Sequence, residues 1–290
     1  MLRASLIALI IFSLATPPIL CAGNNLDALE KVVAAKGQVQ PGLQSYLATV
    51  ETSRIKEVMA SLTSSMPADV IPPPTPVIKK LWQRNGKGLV FASQPQLPPH
   101  AETVIKQLFD NLAIELNEML LPTDQAEQRR NLVKDAEVKL NEVALSDTLI
   151  HHLDLVFAKP TDLNEAFYAR GLRLPQEQIN SLAFDVDTKT NTISEMDIVD
   201  NNGLRLTVEI RYRAVAGGYL PERFQVTSPD GKIDDLLEIK FSEVDSYLLP
   251  ASMLRVIRHP ELQEKLEVFF KEYQVNQPIP EDIQPRLDNL

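Results

Sequence analysis

The sequence predicts an α+β fold in which an antiparallel sheet carries helices on one of its faces. Three observations predict it. From Val138 onward apolar and polar residues alternate with a period of two, the signature of half-buried strands. Turn residues interrupt these runs at intervals of about eight to twelve residues, which favours a meander over crossover units. Residues 104–119 form a continuous apolar stripe at helical spacing, and such a face has to be covered by another element. The cleanest alternation sets Leu204, Leu206, Val208, Ile210 and Tyr212 against Arg205, Thr207, Glu209, Arg211 and Arg213, one face buried and the other wet.

Composition excludes several classes. With 44% hydrophobic and 23% charged residues among 290, the chain is too apolar and evenly mixed to be disordered. A formal net charge of −10 repels polyphosphate, so no nucleic-acid partner is expected. One cysteine makes no intramolecular disulfide, and no CxxC or Cys/His cluster exists for a structural metal. No cofactor is expected.

In chain order, residues 1–22 read as a signal peptide. Arg3 precedes the uncharged run 4–15, then Pro17 and Pro18, then the small residues Cys21, Ala22 and Gly23. The run is too short to span a hydrocarbon core, which needs roughly 20 residues. Export to the periplasm is expected, with cleavage after Ala22. The alternative is a membrane-anchored lipoprotein acylated on Cys21, against which stands bulky Leu20 where a small residue is expected.

Residues 23–276 are read as a single domain. Leu26, Leu29, Val32 and Val33 predict a short amphipathic helix with Asp27 and Glu30 in its first turn and Gly37 past its end. In 43–63 the reading stays open between a strand (Tyr46, Ala48, Val50) and a helix (Ile55, Val58, Met59, Leu62). Prolines at 67, 72, 73, 74 and 76 make 67–76 a rigid connector. A hairpin follows over 77–83 and 88–92 around Asn85 and Gly86. A helical insertion over 100–135 comprises the 104–119 stripe and a more polar helix with Thr123 as N-cap.

Strands are expected at 138–143, 149–157, 181–187, 192–199, 204–215, 223–227 and 236–244, and 262–273 fits a helical turn leading into a last strand. Residues 277–290, with Pro278, Pro280 and Pro285, read as an extended, solvated tail.

Three stretches carry a family likeness. They are Tyr212 with Gly217 or Gly218 and then Tyr219-Leu220-Pro221-Glu222-Arg223-Phe224; Phe184-Asp185-Val186-Asp187-Thr188 through Ile193 and Ile198; and Ile239-Lys240-Phe241 before a loop at Pro250. With the order of elements, they resemble the periplasmic outer-membrane lipoprotein-carrier family, LolA-like and LolB-like proteins, best over residues 181–250. The resemblance implies a curved antiparallel sheet, an incomplete β-barrel, with helices covering its concave face. It also implies a hydrophobic ligand, such as lipoprotein acyl chains or lipid, held between sheet and lid, in transport toward an outer membrane. The cavity wall it implies is Leu153, Leu155, Phe157, Phe184, Leu206, Val208, Ile210, Tyr212, Phe224, Ile239 and Phe241, with Leu108, Phe109, Leu112 and Leu116 as lid. The chain departs from the family in its length and its Pro-rich connector, and no residue matches the carriers' lid-locking arginine. Burying a sixteen-carbon chain gives about 12 kcal/mol gross. The other reading is an envelope interaction module of the same shape, with a filled core and a protein partner.

Catalytic residues are not found. His100, His151, His152 and His259 have no HExxH spacing, and adjacent His151 and His152 point to opposite faces of a strand. There is no GxSxG motif and no phosphate-cradling glycine loop. Asp185 and Asp187 share one side of a strand, but Asp187 opens a turn, where Asp bonds to backbone. Trp82 and Phe91 are expected to pack under the helices or line an entrance. The expectation is a binding protein, not an enzyme.

Overall fold

The computed structural model describes residues 26–64, 69, 74–84, 88–92, 115–145, 147–281 and 283. The signal peptide, most of the connector, the Asn85-Gly86 turn, His100 and the helix expected from residue 104, up to residue 114, lie outside them.

The fold is the expected one, a large open antiparallel sheet with helices on its concave face. Twelve strands run in the order β3-β2-β1-β12-β11-β10-β9-β8-β7-β6-β5-β4. They are β1 (Ser45–Thr52), β2 (Ile78–Gln83), β3 (Leu89–Ala92), β4 (Ala136–Leu145), β5 (Thr148–Thr161), β6 (Ile179–Asp187), β7 (Thr192–Asp200), β8 (Arg205–Val215), β9 (Gly218–Thr227), β10 (Asp234–Val244), β11 (Tyr247–His259) and β12 (Leu262–Val275). β4 to β12 form one meander, and β1 docks on β12 from the other side, Val50 opposite Phe270. The ends of the sheet, β3 and β4, do not meet among the described residues, so the barrel stays open.

Among the described residues three α-helices accompany the sheet: α1 (Asp27–Lys36), α2 (Ser53–Ser64) and α3 (Ala126–Leu132). The open reading of 43–63 resolves into both alternatives, strand β1 followed directly by α2. Its Ile55 and Met59 return onto the face that Tyr46, Ala48 and Val50 present.

Several expectations need correction. Pro250 is not in a loop but inside β11, at a break in register where Lys240 faces Ser252 and Phe241 faces Pro250. The extra residue makes a bulge, one of the few places where a strand tolerates a residue without N–H. Residues 262–275 are strand throughout. Leu116–Glu118 is a single 3₁₀ turn after an extended Glu115, so no α-helix runs through to Met119. Thr123 does not cap α3; it opens a 3₁₀ turn, and its hydroxyl donates to Glu118 Oε1 at 2.8 Å. The tail is not wholly solvated, because Ile283 is buried, and with Ile279 it covers Leu47, Leu81 and Phe91 on the convex face. Phe91 is therefore on the opposite face from Trp82, which stacks on Tyr46 at 5.5 Å between centroids.

The concave face carries two apolar clusters that meet at Met253. One lies over β5 to β10 under α1 and residues 119–121 and 163–174. The other lies over β11, β12, β1, β2 and β3 under α2. No described helix is long and apolar enough to cross a membrane.

Candidate functional site

Twelve of the fifteen expected cavity residues are described, and the fold brings them to one place. Leu153, Leu155, Phe157, Phe184, Leu206, Val208, Ile210, Phe224 and Ile239 are buried in the first cluster, and Leu116, Tyr212 and Phe241 pack against it. Leu108, Phe109 and Leu112 lie outside the described residues. Strand alternation delivers the wall, since each of these strand residues sits at the inward parity.

What covers this wall is the chain itself. Residues 115–122, here called the strap, cross the concave face from one half of the sheet to the other. Beside it lies the segment 163–174. Leu120 bridges Tyr168; Leu121 N–H donates to Phe167 O at 2.7 Å and Ala169 N–H to Met119 O at 2.9 Å. Leu121 and Phe167 are fully buried, and Phe167 stacks on Phe184 at 6.1 Å.

Besides these backbone bonds to 163–174, charged side chains fasten the strap. At its start, Glu115 Oε1 accepts from Lys80 Nζ and from Tyr46 O–H, both at 2.8 Å. Burial pushes the Tyr46 hydroxyl well above its ordinary value, and the Glu115 carboxylate beside it adds to the rise. At its end, Lys36 Nζ donates to Leu120 O and, at 2.9 Å, to Leu121 O. Burial draws the Lys36 ammonium down to about 8, with Glu118 opposing the fall and Arg129 adding to it. Arg129, almost wholly buried, donates to Pro122 O at 2.7 Å and Ala166 O at 3.0 Å, which ties strap and segment 163–174 together. Its Nε lies 3.9 Å from Glu30, and its Nε and one terminal nitrogen have no hydrogen-bond partner. Arg255 clasps Asp235 through two nitrogens and donates to Gly171 O at 2.5 Å, pinning the far end of 163–174.

Beneath the strap is a pocket of about 40 Å³. Val32 and Val39, Leu120 of the strap, and Ile193 and Phe224 of the sheet give it an apolar lining, with Asn117, Thr190 and Asn191 at its rim. The β8–β9 turn forms one wall, and here glycine is required. Gly217 has φ +78°, and a Cβ there would lie 2.0 Å from Gln38 O. That close approach lets Gln40 N–H reach Ala216 O at 2.7 Å, while Arg84 gathers the carbonyls of Val39, Gln40 and Leu43.

The remaining histidines and carboxylates take other positions. His151 faces Glu142 at 3.4 Å, and His152 lies on the other face between Asp185, at 2.6 Å, and Asp154. Asp187 accepts from the backbone N–H groups of Lys189 and Thr190, the turn role expected of it. Among the described residues no group of three His, Cys, Asp or Glu could hold a metal ion.

The sequence reading missed Lys36, Lys80, Glu115, Arg129, Asp235 and Arg255. For three of them a signal was present. Lys80 has the parity of Ile78 and Trp82, Asp235 that of Leu237 and Ile239, and Arg255 that of Met253 and Ile257. A charge at the apolar parity of a strand marks a buried ion pair.

No protein-family model matches the chain, and neither does any curated protein. Among solved structures it is similar to a LolA superfamily protein of Nitrosomonas europaea, at 8% identity over 88% of this chain and 96% of that one, with a TM-score of 0.32. It is similar to a DUF1329 family protein of Desulfovibrio piger, at 10% identity over 94% and 100%, with a TM-score of 0.35. A third similarity is to the Pseudomonas aeruginosa MucA/MucB complex, at 11% identity over 91% and 96%, with a TM-score of 0.22.

Proposed function

We propose that the chain is an exported, non-catalytic LolA-like binding protein of the periplasm that holds a hydrophobic ligand, an acyl chain of a lipid or lipoprotein, between the concave sheet face and the strap. The observation that carries this reading is the apolar pocket under a cover fastened at its two ends by side chains. A cover held by a few polar contacts leaves the sheet more readily than one built into its ladder. The pocket as it stands seats on the order of three water-sized atoms, so the acyl chain enters as the strap moves aside and takes its place against Phe224 and Ile193. The contacts given up are offset by the methylenes buried, about 0.8 kcal/mol each.

Native mass spectrometry of the protein taken from its own envelope fraction tests this. A bound lipid or lipopeptide mass that detergent removes is the expected result. Protein free of any such mass, together with slow amide exchange across residues 119–121, overturns it.

A second reading is favoured by one specific observation. The interior over β5 to β10 is filled by Leu121, Phe167, Tyr168 and Leu172. A filled core suits an envelope interaction module, and cross-linking in the envelope that captures a defined protein partner, with no lipid bound, is its signature.

A further inference from the structure

The pocket under the strap is chemically lopsided. Among its described lining residues the single charged side chain is Lys36, in a chain whose net charge is −10. Its ammonium has three N–H donors, of which Leu120 O and Leu121 O take two, leaving one. The carboxylate whose charge acts on Lys36, Glu118, gives its hydrogen bonds to Thr123, accepting the N–H at 2.6 Å and the hydroxyl at 2.8 Å. The other charged groups around Lys36 are Arg129 of α3 and, paired with it, Glu30 of α1; from the sheet side the pocket receives the Tyr212 and Tyr219 side chains, neither of them charged. An apolar floor, a polar rim and one cation with a spare donor match a ligand with an apolar tail and a negative head.

We propose that this pocket selects anionic amphiphiles, the head group, a carboxylate, meeting Lys36 while the first methylenes lie on Val32, Ile193 and Phe224. The proposal rests on the hydrophobic-ligand reading above and adds the charge of the ligand. A charge-assisted hydrogen bond in a half-buried site is worth about a tenfold preference over a neutral head of the same length.

The test is calorimetric titration of the full mature chain with laurate, dodecanol and acetate, at a pH below and a pH above the Lys36 value of about 8. Laurate is expected to bind about tenfold more tightly than dodecanol, and acetate not at all. Lys36→Met should erase the preference of laurate over dodecanol, whatever freeing that end of the strap does to the affinity for both, Lys36→Arg should keep the preference, and the preference should fade as pH rises through the ammonium's titration. Equal binding of laurate and dodecanol by the native chain, or a Lys36→Met variant that keeps the preference, overturns the proposal and leaves the hydrophobic-ligand reading intact. Binding of neither overturns both. If Lys36→Met does not fold, the native laurate-to-dodecanol ratio and its pH dependence decide.

Discussion

The two halves of the sheet are covered in opposite ways. Over β11, β12, β1, β2 and β3 lies α2, which follows β1 without a break and lays Ile55 and Met59 on the strands it has just left. Over β5 to β10 lie α1 and two irregular segments, 115–122, which precedes α3, and 163–174, which connects β5 to β6. A helix satisfies its own interior backbone, so α2 needs only an apolar face. An irregular cover cannot do so, and each buried carbonyl must find a donor. Lys36, Arg129 and Arg255 are those donors, reaching Leu120, Leu121, Pro122, Ala166 and Gly171. Irregular cover thus brings buried charge with it, at Lys80 of β2 and Arg255 of β11 as well as at Arg129, and the pocket lies under that cover.

The largest effect that sharpens this contrast is expected from Asp235→Ala. It leaves the Arg255 guanidinium buried without its carboxylate, which costs about 3–5 kcal/mol, measured as a shift in urea midpoint. Exchange protection should be lost over 163–174 and kept in α2. Replacing both partners, Asp235→Leu with Arg255→Leu, should recover much of the loss. A cost below about 1 kcal/mol for the single variant would mean that the pair does not hold the cover. The converse variant, Ile55→Ala, removes a buried side chain from α2 and should cost about 3 kcal/mol, with exchange rising in α2, β1 and β12 and the strap unaffected. If both variants loosen both halves alike, the halves are one cooperative unit and the contrast fails.

The same contrast governs what was legible in the sequence. The meander was legible because strand alternation is written locally; Leu206, Val208 and Ile210 declare their face without knowing what covers it. The cavity wall followed from that parity. β11 was not legible, because Leu248, Leu249 and Pro250 break the alternation and only the bulge opposite Lys240 and Phe241 accommodates them. The α2 half was half-legible: its cover is adjacent in sequence, and both alternatives for 43–63 were seen. The strap was misread as the end of a helix, since Leu116 and Met119 fit the apolar stripe equally well when Glu115 is extended. Segment 163–174 carried no periodic signal at all. Its fastening depends on Arg255 and Arg129, whose partners are distant in sequence, and no local pattern encodes such pairs.

The smallest effect comes from an ion pair of the same kind placed on the wet side. His152, on the convex face, binds Asp185 at 2.6 Å through Nδ1 and faces Asp154 at 3.3 Å through Nε2. The hydrogen bond to Asp185 raises the imidazole above its ordinary 6.5; burial opposes the rise, and the charges of Asp154 and Asp185 add to it. Nearby, burial and the carboxylates of Asp197, Asp185 and Glu209 hold Glu195 above its ordinary value. A raised histidine stabilises the fold fully below about pH 6.5, and the contribution disappears as pH rises through the raised folded value. With His152 and its partners about one-third exposed, the amount is under about 1 kcal/mol. Asp185→Asn should flatten the dependence of stability on pH across that window while leaving laurate binding unchanged. An effect as large as that of Asp235→Ala would mean that burial does not set the worth of these pairs, and the difference between the two covers would need another cause.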